Sequence, residues 1–159
     1  MKQLLFLGLL MCGTLGFAQN KTYSIQSPPV ALDSPLPFPN SIDTTRYYSY
    51  REIGKAVQPV DGWAAFYKGM YSLPYPKEAK EKNQQCSITV DIRLNERGDL
   101  DSIYLKYYAN YGPWKKCPSC EELIFDYIKS FKWQAGEIHG VPVKSEELIF
   151  VEFRIDDPK

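Results

Sequence analysis

The sequence predicts an α+β fold: a three-stranded antiparallel sheet in the spatial order 2-1-3, with helices packed on one face. Three observations predict it. Cys86, Ile88, Val90, Ile92 and Leu94 alternate with polar residues, and a second alternation through Ile103, Leu105 and Tyr107 follows the turn Asn95-Glu96-Arg97-Gly98, which together make an antiparallel hairpin. Leu123, Ile124, Tyr127, Ile128 and Phe131 then recur at helical spacing. A third alternation closes the chain, with Ile149, Val151, Phe153 and Ile155 on one face and Leu148, Phe150, Glu152 and Arg154 on the other.

The remaining elements fall into place in order. Lys2, the apolar run from Leu4 to Phe17 and the small residues of Gly16-Phe17-Ala18 form an export signal, with cleavage expected after Ala18. Its apolar run of about 14 residues reaches only about 21 Å as a helix, short of a hydrocarbon core of roughly 30 Å, so a retained anchor is the lesser reading. Residues 19–59 read as a mostly extended tether, with Pro28, Pro29, Pro35, Pro37 and Pro39 blocking regular pairing. Residues 46–50 could add a short strand. The ordered domain is expected at 60–159.

Trp63, Phe66, Tyr67 and Met70 share one helical stripe that ends before Pro74, and Pro76 opens a short helix to Lys82 that buries Ala79. Ser119 and Glu122 have the spacing of a capping box ahead of the longer helix. That helix carries the chain back along the sheet. In an antiparallel sheet the third strand then lies beside the first, and its outer side is an edge.

An open edge presents unpaired amides and carbonyls, which proteins either protect or use to capture an extended peptide. From Leu148 to Phe153 this edge carries one charge, Glu152, and no proline. Leu148, Phe150, Glu152 and Arg154 are therefore the expected partner-binding residues. Cover by the tether or by the 46–50 segment, and edge-to-edge pairing in a homodimer, are the competing outcomes.

The chain carries 19 Lys and Arg against 19 Asp and Glu, so no surplus charge draws it to nucleic acid or an anionic lipid surface. There is no phosphate loop and no serine-hydrolase elbow. His139, the single histidine, sits beside Gly140 in a turn and reads as solvated. Asp91, Asp99, Asp101 and Asp126 read as a solvated face or turn residues, and Tyr107, Tyr108, Tyr111 and Trp114 as an aromatic group folded over a loop. No catalytic residue and no cofactor is expected.

Gly62-Trp63 with Ala65-Phe66-Tyr67-Lys68, Tyr75-Pro76 with Ala79, the turn from Asn95 to Gly98, Lys132-Trp133 with Gly136, Gly140, Pro142-Val143 and the closing Val151-Glu152-Phe153 occur in a distinctive order. In this the run from Asp61 to Ile155 resembles the C-terminal domain of TonB, the periplasmic energy transducer, in its Bacteroidetes form. The resemblance implies a TonB/TolA C-terminal-domain-like fold in the periplasm of a Gram-negative cell. It also implies a last strand that pairs with a short peptide at the start of an outer-membrane transporter. The chain departs from that family at Phe150, where proline is frequent, at Leu123, where alanine is usual, and at Cys86, where glycine is usual. It also has a cleavable signal where an energy transducer keeps a membrane helix. A membrane-anchored transducer is thus the alternative only with an uncleaved N-terminus.

After signal cleavage three cysteines remain. Cys117 and Cys120 have the spacing of a small disulfide ahead of the helix, and Cys86 faces the core as a free thiol. A thiol-disulfide oxidoreductase using Cys117 and Cys120 is the enzymatic alternative, because a helix N-terminus activates a thiol. A zinc site from Cys86, Cys117, Cys120 and His139 has usable ligand types, but a core-facing Cys86 speaks against convergence. No metal is expected.

Overall fold

In the computed structural model the described residues are 22–26, 41–106 and 116–156. The predicted signal at 1–18, the proline-rich stretch 27–39 and the group Tyr107, Tyr108, Tyr111 and Trp114 lie outside them. The elements run β1 (Thr22–Gln26), β2 (Gln58–Pro59), α1 (Gly62–Tyr71), α2 (Lys77–Glu81), β3 (Cys86–Leu94), β4 (Leu100–Lys106), α3 (Pro118–Lys129), β5 (Trp133–Gln134), β6 (Glu137–Ile138), β7 (Val141–Pro142) and β8 (Ser145–Asp156).

The hairpin forms as its alternation requires. Asn95 Oδ1 accepts the main-chain N–H groups of Arg97 and Asp99, at 2.9 and 3.0 Å, which closes the turn. Gly98 follows at φ +83°, and a Cβ there would lie 2.3 Å from the carbonyl oxygen of Trp133. Only glycine fits. β3 then pairs antiparallel with β4 on one side and with β8 on the other, with Cys86 opposite Phe153 and Leu94 opposite Ser145.

The predicted order 2-1-3 corresponds to β4-β3-β8, but the sheet has four strands rather than three, in the order β1-β8-β3-β4. β1 comes from the segment read as tether. It pairs antiparallel with β8 from Gln26 opposite Glu152 to Thr22 opposite Asp156. Ile25, 5% exposed, joins the main core beside Phe153. The prolines of residues 19–59 argue for unpaired extended backbone, and a five-residue strand is too short a pattern to outweigh them.

The ordered body also begins earlier than residue 60. Tyr48, Ile53 and Val57 are buried; Tyr48 and Ile53 form a second small core with Ile138 and Val143. Pro59 pairs with Trp133, and Lys55 bridges to Glu137. The 46–50 segment contributes no strand, only a parallel bridge from Tyr48 to Ser145. This cover is needed because the β6–β7 hairpin buries Ile138 away from the main sheet. His139 and Gly140 turn that hairpin with φ of 52° and 80°, the left-handed pair that a two-residue turn demands.

The helices lie on one face, over Ile88, Val90, Ile92, Leu94, Ile149, Val151 and Phe153. Phe66 is the aromatic centre of this layer, with ring centroids of Phe131 at 5.0 Å, Tyr127 at 5.2 Å and Trp133 at 5.5 Å. Tyr127 Oη donates to the carbonyl of Phe66 at 2.7 Å, which ties α3 to α1. The expected capping box is absent. Cys117 is the N-cap of α3, Pro118 takes the first turn, and Ser119 lies inside the helix. Proline is preorganised for the first helical position, so it moves the start two residues earlier.

Phe66→Ala is expected to lower the unfolding free energy by about 3–5 kcal/mol. Tyr71→Ala, at a residue 46% exposed, should stay within about 0.5 kcal/mol. Urea denaturation of the two variants checks both values.

Candidate functional site

β8 alternates as predicted. Ile149, Val151 and Phe153 are buried, Leu148, Phe150 and Glu152 are half-buried, and Arg154 is exposed. The four expected partner-binding residues thus share the face away from the helices. Its outer side is not the open edge that was expected. β1 pairs along Glu152 to Asp156, and Arg154 Nη1 donates to Gln26 Oε1 at 3.4 Å. At the other end the N–H of Tyr48 donates to the carbonyl of Lys144 at 2.8 Å, and the N–H of Glu146 donates to the carbonyl of Tyr48 at 2.9 Å.

Along β8, Glu147 to Val151 are the residues that pair with β3 and with no other described segment. That window spans roughly 17 Å. The cover shortens what is left exposed of the stretch from Leu148 to Phe153, whose single charge leaves it prone to pairing with other chains.

Within the window the N–H of Leu148 donates to Glu147 Oε1 at 3.1 Å, so a side chain caps the edge. Burial pushes the Glu147 carboxyl up to about 7; the Leu148 amide opposes the rise and the nearby Asp91 carboxylate adds to it. Asp91 does not lie on a solvated face. It is 2% exposed in the middle of the far sheet face, where Lys106 Nζ reaches its Oδ2 at 2.6 Å. Asp101 remains exposed and accepts from Tyr47 Oη at 2.9 Å, and Asp99 sits in the turn as predicted.

A second cluster lies at the other end of the core-facing row. Cys117 and Cys120 form a disulfide, and Cys86 is a free, buried thiol. The three sulfurs lie within 4.8 Å of one another, so a core-facing Cys86 does converge with the pair. The signal was in the helix. Cys120 precedes Ile124 and Ile128 by four and eight residues, which puts it on the stripe that faces the sheet. His139 takes no part; it is exposed in its turn. Exposures of 1% for Cys117 and 0% for Cys120 keep an external thiol or disulfide from their sulfurs unless the fold opens. Burial pushes the Cys86 thiol up to about 12, with Glu121 adding to it.

No family model, no curated protein and no solved structure matches this chain. Among the described residues no helix is long and apolar enough to cross a membrane.

The ordinary carboxyl value for Glu147 is 4.5, so between there and about 7 the folded chain holds a proton that the unfolded chain has lost. Its contribution is complete below the lower value and declines as pH rises to the higher one. Glu147→Gln should therefore gain stability relative to the wild type as pH is raised across that interval. Urea midpoints of both proteins at several pH values test this, and curves that stay parallel would refute the assignment.

Proposed function

We propose that this chain is an exported, TonB C-terminal-domain-like module that binds an extended peptide along the outer side of β8. In this reading Thr22–Gln26 is the chain's own stand-in for the partner. The observation that carries it is the β1–β8 pairing itself: β8 holds a five-residue extended segment, antiparallel, with Ile25 as an apolar anchor. Main-chain bonds along a strand with alternate side chains in pockets are the ingredients of sheet augmentation.

The partner class is a protein segment able to extend, such as the N-terminal stretch of an outer-membrane transporter. Leu148 and Phe150 would meet its side chains in the window where β8 is paired on one side, and Glu152 and Arg154 where β1 now lies. The sequence of residues 1–18 supports export to the periplasm. An intramolecular occupant lowers the apparent affinity of any partner by the fraction of time the edge is open. Recognition would thus be competitive rather than a docking on vacant amides.

The test uses a labelled peptide copying residues 21–27, added to the full mature chain and to Ile25→Asp, whose charge cannot stay in the core. The variant should bind the peptide by fluorescence anisotropy at least about tenfold more tightly than the wild type, as its edge is freed. Peptides from transporter N-termini should displace it. A folded variant that binds neither peptide would end this reading.

A further inference from the structure

Cys86, Cys117 and Cys120 come from two separate elements, the first residue of β3 and the first turn of α3. Their approach is held by the backbone on either side. Gln84 Nε2 donates to the carbonyl of Lys116, Tyr75 Oη donates to the carbonyl of Gln84 at 2.6 Å, and the N–H of Gln84 donates to the carbonyl of Ala79 at 2.8 Å. This fastens the segment entering β3 to the segment entering α3. The three side chains are 2%, 1% and 0% exposed, inside the apolar layer between sheet and helices.

We propose that, once the fold has opened far enough for a dithiol to reduce the Cys117–Cys120 disulfide and has closed again, the three cysteines form a binding site for a soft monovalent metal ion, Cu(I). Reduction transfers two electrons and two protons to the Sγ atoms of Cys117 and Cys120, and the dithiol leaves as its own disulfide. Binding of Cu(I) then releases the thiol protons to solvent, with no further change of oxidation state.

Three features favour this ion. Soft thiolate ligands select Cu(I), whereas a structural zinc site requires four ligands. Among the described residues no histidine, aspartate or glutamate joins the three sulfurs, and the dry surroundings offer no ready water. At a metal–thiolate bond of about 2.3 Å, as on zinc, a trigonal set holds its sulfurs roughly 4.0 Å apart. That fits within their 4.8 Å spread. The amides of the first turn of α3 add partial positive charge beside Cys117 and Cys120. The cation offsets part of the penalty that burial places on ionising the thiols.

The experiment takes the full mature chain, reduces it anaerobically, removes the dithiol and titrates it with Cu(I) held by bicinchoninate. The reduced wild type should withdraw one Cu(I) per chain, with X-ray absorption reporting three sulfurs, while the oxidised chain leaves the metal with the chelator. Cys86→Ser and Cys86→Ala, checked for folding by near-UV circular dichroism, should bind at least about tenfold more weakly and report two sulfurs. Equal affinity in these variants, no uptake by the reduced wild type, or two sulfurs in the wild-type spectrum would each overturn the site. If the variants fail to fold, the wild-type sulfur count decides alone.

Discussion

β3 has to satisfy its main chain on both sides while burying one whole row of side chains, and the rest of the molecule is arranged around that demand. β4 and β8 take its two edges, and the helices take the row from Cys86 to Leu94. From Thr89 to Leu94 β3 is paired on both sides, which keeps that stretch of main chain from leaving unpaired amides that would each cost free energy comparable to a lost hydrogen bond. The aromatic centre at Phe66 then has a fixed floor to pack on. Gly69 permits the close approach, since a Cβ there would lie 2.3 Å from Tyr127 Oη.

Moving the unpaired edge outward to β8 creates the problem that the N-terminal part of the chain resolves. From Leu148 to Phe153 β8 is apolar but for Glu152, and that stretch would be adhesive if left bare. β1 closes one end and Tyr48 the other, by main-chain bonds that any extended segment could make in principle. Self-pairing of this kind protects the edge and also sets a threshold for any partner, since a competitor must displace groups already at high local concentration.

The period of two has consequences on both faces. On the far side it carries Thr89 and Asp91 into nearly complete burial, where Lys106 compensates the charge. On the near side it carries Cys86 into the layer that the first turn of α3 also enters. Two elements far apart in sequence thus put three sulfurs in one dry place, a chemical concentration that neither element has by itself.

The sequence by itself determined the hairpin, the three helices, β8 and its alternation, because each is written in local periodicity: Cys86 to Leu94 at spacing two, Phe66 and Met70 at spacing four, Ile149 to Phe153 at spacing two. It also determined that Leu148, Phe150, Glu152 and Arg154 share one face. Only the tertiary structure decided that a fourth strand covers β8, that Tyr48 and Val57 are core, that Asp91 is buried and that Cys86 meets Cys117 and Cys120. Those outcomes depend on which distant segment reaches a given surface. Thr22–Gln26 is too short to announce itself as a strand, and its pairing exists only once β8 offers it a row of unsatisfied amides and an apolar place for Ile25.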